Sequence, residues 1–133
     1  MSFFLDTNIC IYFLKGLNKN LAFKLIETDR EKIFIPAIVK AELYYGAEKS
    51  LKAQENIKKI DSFCSLFQTA PFDEFSAIYY SFIRSKLEQK GKIIGPNDLI
   101  IAATTLSRNG TLVTNNEKEF SRISELKLEN WYS

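Results

Sequence analysis

Three acids, Asp6, Glu42 and Asp98, stand in settings where a carboxylate needs compensation. Asp6 closes the apolar run Phe3-Phe4-Leu5, where a buried strand would end. Glu42 has Ile38, Val39, Tyr45 and Gly46 at its three- and four-residue offsets, so no helical neighbour carries a charge to pair with it. Asp98 repeats that setting with Ile94, Gly95, Ile101 and Ala102. A carboxylate on the apolar side of a helix is costly when its charge stays unpaired. Three such groups would repel one another if they converged, and a divalent cation removes the repulsion. Oxygen donors select a hard ion, Mg²⁺ or Mn²⁺.

Each acid also has a plainer reading. Asp6 suits the N-cap of the helix that follows it. Asp98, in the first turn after Pro96, suits the positive end of a helix dipole. Further on, Thr114-Asn115-Asn116-Glu117-Lys118-Glu119-Phe120 follows an apolar run, and Asn116 and Glu119 could add an amide oxygen and a carboxylate. The same segment reads equally as a capped turn opening a short solvated helix.

The chain contains no histidine. That excludes hydrolysis by a histidine base, with or without a serine or cysteine nucleophile, and histidine-ligated zinc. Any hydrolysis must be run by carboxylates. Cys10 and Cys64 lie inside apolar stretches without metal-knuckle spacing, which reads as core thiols in a reducing compartment. A formal charge of +2 is too small to announce a nucleic-acid binder, so positive charge for such a partner must be local. Arg84, Lys86, Lys90 and Lys92 concentrate charge ahead of Asp98 and could lead a phosphate backbone towards it, or form an ordinary solvated helix face. No signal peptide or membrane-length apolar run is visible, so the expectation is a cytoplasmic protein without a membrane partner.

The elements that must position the acids follow from periodicity. The 133 residues suit a single domain spanning 1–133, and 46% hydrophobic content supplies its core. Strands are expected at 3–5, 33–35, 69–72, 111–114 and 127–131. Helices are expected from Thr7, over 20–28, from Pro36 at its first turn to Glu48, over 53–67, over 73–90 and from Pro96 to about Asn109. Ile57, Ile60 and Phe63 form the inner side of the fourth of these. Alternating strands and helices imply right-handed crossovers and a parallel sheet covered on both faces, with the working crevice at the strands' carboxyl ends.

Four segments in order now carry a resemblance: Phe4-Leu5-Asp6-Thr7-Asn8, Val39–Ala47 around Glu42, Ile94-Gly95-Pro96-Asn97-Asp98, and Leu112-Val113-Thr114-Asn115-Asn116. Together they resemble the PIN-domain ribonucleases, and among these the VapC toxins of bacterial type II toxin–antitoxin pairs, from residue 3 to about residue 131. The resemblance implies a PIN-like α/β/α sandwich with a central, mainly parallel sheet of four to five strands. It implies an endoribonuclease using Mg²⁺ or Mn²⁺ held by Asp6, Glu42 and Asp98, with tRNA as the leading substrate. Thr7 and Thr114 match hydroxyl positions beside the site. Asn116 falls where many members place a fourth aspartate, and Glu119 matches a further acid. Asparagine brings no negative charge, which leaves the metal count open. The resemblance also implies a homodimer, a neutralising VapB-type antitoxin, and operator DNA reached only through that antitoxin. Tyr12, Phe13, Leu17, Tyr44 and Tyr45 are candidates to line the antitoxin's groove, with core packing as their alternative.

Three other readings compete. A haloacid-dehalogenase-type phosphatase expects an aspartate two positions after the first, where this chain has Asn8, and it needs room for a cap domain. A receiver-like signalling domain has no place for Glu42 or for the Asn116/Glu119 segment. A binding module could keep the fold without cleaving.

Overall fold

In the strand segments consecutive residues are both apolar, and this decides how the sheet is covered. Neighbouring side chains on a strand point to opposite faces, yet Phe4 and Leu5 are both fully buried, as are Leu112 and Val113. Both faces must therefore be packed. The computed structural model, which describes residues 1–132, supplies that cover with helices.

The strands are β1 (Phe3–Leu5), β2 (Ile33–Pro36), β3 (Gln68–Ala70), β4 (Thr111–Val113) and β5 (Lys127–Glu129). The helices are α1 (Thr7–Leu14), α2 (Lys19–Glu27), α3 (Ala37–Glu48), α4 (Ala53–Cys64), α5 (Glu74–Gln89), α6 (Pro96–Ser107) and α7 (Glu117–Phe120), with a 3₁₀ turn at Arg30–Lys32. The five strands form one sheet in the order β3-β2-β1-β4-β5, every pair parallel. Phe3 of β1 sits opposite Ile33 on one side and Thr111 on the other. The chain thus winds outward from β1 in one direction and then returns to wind in the other. The crevice that such a reversal opens lies between the carboxyl ends of β1 and β4.

Close approach at the other end of these two strands depends on one glycine. A Cβ on Gly110 would lie 2.2 Å from the Phe4 ring, so only glycine lets the α6–β4 turn pass over β1. The turn itself is made by Asn109 in the left-handed region, with φ 51°.

Most element boundaries agree with the sequence reading, and the sheet is wholly rather than mainly parallel. The differences have local causes. Pro36 ends β2 and caps α3 from outside, because its carbonyl side still pairs in register with Ala70. Helix α4 stops at Cys64 rather than running to residue 67, since Phe67 turns back edge-on to Phe63 and Gln68 must begin pairing with Phe34. The 3₁₀ turn was not foreseen. Ile60 and Phe63 are buried, and Ile57 packs against the core from its edge.

Candidate functional site

Asp6 caps a helix and also lies buried at the end of β1. Its Oδ1 caps α1 by accepting from the Ile9 amide at 2.9 Å, and it is buried at the mouth of the β1/β4 crevice. Its backbone amide donates to Val113 at 3.2 Å, which ties its position to β4. Burial pushes its carboxyl up to about 6, against the lowering effect of hydrogen bonds from the Thr114 hydroxyl and the Ile9 amide. Asp98 and Glu42 raise it further through their charges. Thr114, fully buried at the end of β4, also accepts from the Asn116 amide at 2.9 Å and so fixes the start of the next segment.

Asp98 projects from the first turn of α6, which Pro96 opens at a position where no amide proton is needed. It is half-buried. Desolvation, then the charges of Glu119 and Glu42, push its carboxyl up to about 6. Glu42 sits beside the buried stripe of α3 formed by Val39, Leu43 and Ala47. Its two oxygens are both held. Thr7 donates to Oε1 at 2.6 Å, and Asn97 donates to Oε2 at 3.3 Å. Asn116 donates to Glu119 at 2.6 Å, across the opening turn of α7.

The structure therefore brings Asp6, Glu42 and Asp98 within one another's electrostatic reach and Glu119 within reach of Asp98, with Thr7, Thr114 and Asn116 as their hydrogen-bond partners. Asn97 is the residue that sequence reasoning passed over. The signal was present, as an amide directly before Asp98, but its partner is 55 positions away. No lysine or arginine pairs with any of the four acids among the described residues.

The donor set tests the fit to a metal. It is entirely oxygen, anionic and short of positive charge, which suits a hard divalent ion. Among the described residues no three acidic or thiol side chains stand ready to enclose an ion by themselves. Mg²⁺ does not require that, because it retains water and takes one or two carboxylates.

The other sequence candidates fare differently. Arg84 is paired with Glu88 at 3.2 Å and Lys86 with Glu125 at 2.6 Å, whereas Lys90 and Lys92 form no ion pair among the described residues. Tyr12 packs on Tyr132 and Phe13 on Phe63. Tyr44 donates to Asp61, and Tyr45 lies exposed beneath Lys49. Leu17 is exposed beyond the end of α1. The cleft that does adjoin Glu42, of about 450 Å³, is lined instead by Ile11, Leu14, Leu43, Ala47 and Ile60, with Lys15 and Lys59 also on its wall. None of the five groove candidates lines this cleft, although it lies between the same two helices, α1 and α3.

A doubly wound parallel sheet with an acid cluster at its switch point defines a class, and the comparison with known families agrees: the PIN domain matches residues 3–126. The chain belongs to the PIN-domain family. It is 46% identical to ribonuclease VapC2 of Rickettsia felis, with 98% of each chain covered. It is 36% identical to the tRNA(fMet)-specific endonuclease VapC of Salmonella typhimurium, again with 98% of each covered. Among solved structures, DNA-bound VapBC from Salmonella typhimurium superposes with a TM-score of 0.93 at 36% identity, over 98% of both chains. VapBC2 from Rickettsia felis, bound to a promoter fragment, gives 0.90 at 44% identity, over 98% of this chain and 99% of that one. Within the family, then, this is a chain of the VapC kind.

Proposed function

We propose that this chain is a toxin endoribonuclease that hydrolyses phosphodiesters of structured RNA, tRNA first among them, with Mg²⁺ or Mn²⁺. The observation that carries the reading is the acid cluster at the carboxyl ends of β1 and β4, where Asp6, Glu42 and Asp98 bear on one another with no ion-paired lysine or arginine among the described residues, Glu119 bears on Asp98, and the Asp6 and Asp98 carboxyls are pushed up to about 6. The names of the two VapC relatives, a ribonuclease and a tRNA(fMet)-specific endonuclease, support the substrate class.

Asp6 and Asp98 would hold the ion, with Glu42 completing the set directly or through water. Bound there, the ion supplies Lewis acidity towards the phosphodiester and lowers the pKa of a water molecule it contacts. Thr7 and Asn97 keep the Glu42 carboxylate from swinging away, and Thr114 does the same for Asp6. A carboxylate of the cluster accepts the proton of the attacking water, since the chain has no histidine to do so. Attack by water, rather than by the RNA's own 2′-hydroxyl, leaves 5′-phosphate and 3′-hydroxyl ends.

A small antitoxin of the VapB kind would silence the protein. The apolar cleft next to Glu42 suits an amphipathic segment that delivers a basic side chain to the acids, and the structures resembling this one are of toxin–antitoxin complexes. Homodimerisation belongs to the same reading. Phe75, Ile78, Tyr79 and Phe82 form an exposed apolar stripe along α5 that is available to a second copy.

The test compares antitoxin-free protein with Asp6→Asn on bulk tRNA in Mn²⁺, reading fragment lengths and end groups. Cleavage by the parent alone, with 5′-phosphate ends, is expected. Equal inertness of the two would favour a binding module. Ends carrying 2′,3′-cyclic phosphate would overturn the hydrolytic mechanism.

A further inference from the structure

An acid cluster that must admit a polyanion has an electrostatic problem, because its own charges repel each phosphate flanking the one to be cut. The whole chain, at +2, offers little general attraction. Along the chain next to two of the acids, however, lies an open cleft of about 660 Å³ lined by Gly91, Lys92 and Ile93, ahead of Asp98, and by Lys118, Ser121 and Arg122, flanking Glu119. Three of these six carry positive charge and none is acidic. Lys92 and Lys118 have no ion-pair partner among the described residues.

Two local devices build this cleft against the acids. The first is the end of α5. Gly91 adopts φ +65°, its amide donates to Glu88 at 3.1 Å and the Lys92 amide donates to Leu87 at 2.9 Å. This is a Schellman closure, which stops the helix and points Lys92 and Ile93 into the α5–α6 connection. The Arg122 guanidinium then donates to the Ile93 carbonyl at 2.8 Å and fixes that connection just ahead of Pro96, Asn97 and Asp98. The second device is α7. Adjacent helical residues diverge by about 100°, so Glu119 can bear on Asp98 while its neighbour Lys118 lines the cleft. Arg122, in the turn that follows α7, lines the same cleft.

We propose that Lys92, Lys118 and Arg122 form a seat for the phosphate backbone of the RNA flanking the cleavage point, and that this seat replaces the Arg84–Lys86 stretch of α5 as the electrostatic entry to the site. The seat rests on the ribonuclease reading for its ligand. Arg84 and Lys86 are spent on Glu88 and Glu125. Lys92 and Lys118 are not, so counterions condensed on RNA can be released against them.

The experiment measures binding of bulk tRNA to antitoxin-free protein by fluorescence anisotropy across a salt series without divalent metal. The parent, Lys92→Ala/Lys118→Ala and Lys32→Ala/Lys127→Ala are compared. The last pair removes the same charge at the amino ends of β2 and β5, the opposite end of the sheet. The seat pair should lower the slope of log K against log salt by about 2 and weaken binding roughly tenfold or more, while the control pair leaves both near the parent's. Cleavage by the seat pair in Mn²⁺ should show a raised KM with kcat largely kept. Equal slopes for the two pairs, in a protein that still cleaves tRNA, would overturn the seat and leave the ribonuclease reading standing. A seat pair that governs binding in a protein that never cleaves would support the seat and overturn the ribonuclease reading. Failure of the parent to bind tRNA in this series would overturn the seat, and failure to cleave it in Mn²⁺ as well would overturn both.

Discussion

Two aspartates in this chain do the same local job in opposite electrostatic surroundings. Asp6 caps α1 through the Ile9 amide, and Asp73 caps α5 through the Ser76 amide at 3.0 Å. Around Asp73 the chain supplies its own compensation. The Ser76 hydroxyl donates to it, and Arg108 reaches it at 3.3 Å while also donating to the Pro71 carbonyl. Its carboxyl is held below the usual range, first by the Ser76 amide and further by Arg108. Around Asp6 the chain supplies burial and two further acids, and its carboxyl rises to about 6. A cap that exists only to end a helix is satisfied where it stands. A cap buried at a strand end among other acids, with no cation paired to it among the described residues, is the kind of perturbed carboxyl that functional sites collect.

The contrast is most sharply broken by function. Asp6→Asn keeps the capping oxygen and should still abolish RNA cleavage, by on the order of a thousandfold or more. Asp73→Asn should leave kcat almost unchanged in the same assay. If both variants cut equally well, the distinction between the two caps has no catalytic meaning.

Stability gives the next largest effect, with opposite signs at the two sites. With metal chelated, native protein retains a proton on Asp6 between about pH 4 and 6 that the unfolded chain has released. Stability therefore falls as pH rises through that window and stays low above it. Asp6→Asn removes the penalty, so it should stabilise the metal-free protein by about 2–3 kcal/mol near neutral pH and by little near pH 4. For Asp73, whose carboxyl is lowered, the contribution is present above the unfolded value of 3.8 and disappears as pH falls below it. Asp73→Asn should destabilise at neutral pH. Urea midpoints at the two pH values check both signs.

Metal should reverse the first of these effects. Adding Mn²⁺ to the parent is expected to raise Tm, following the mass-action law for a ligand that binds only the folded state. Asp6→Asn and Asp98→Asn should show little or no rise, and Asp73→Asn should respond as the parent does. The smallest effect concerns the Glu42 clamp. Thr7→Val deletes the donor to Oε1 and should cost roughly tenfold in activity or Mn²⁺ affinity, with Thr7→Ser restoring most of it. A Thr7→Val protein as active as the parent would show that the clamp does not position Glu42.

Much of this was legible one residue at a time. The apolar doublets Phe4-Leu5 and Leu112-Val113 announced strands covered on both faces. Pro96 announced the start of α6, and the uncharged neighbours of Glu42 announced a carboxylate in search of compensation. Asp6 as a cap could be read from its position before a helical run. So could Asp73. What the local pattern could not separate was which cap is neutralised, because Arg108 reaches Asp73 from 35 positions away and the Thr114 hydroxyl, beside Asp6 across the β1/β4 pairing, comes from 108 positions further along the chain. The same limit explains Asn97 and Arg122, each of which donates to a residue far along the chain, and Lys118, which shares a cleft with Lys92. It also explains why Arg84 and Lys86 looked available when their acids are Glu88, on the same helix, and Glu125, near the far end of the chain.

The sequence by itself determined the elements, the parallel sheet and the three acids, since these rest on periodicity, on caps and on the cost of an unpaired charge. Tertiary structure alone decided that β1 and β4 lie side by side. That pairing places Asp6 beside Thr114 and within reach of Asp98, and turns an ordinary helix cap into a buried carboxyl that faces other acids.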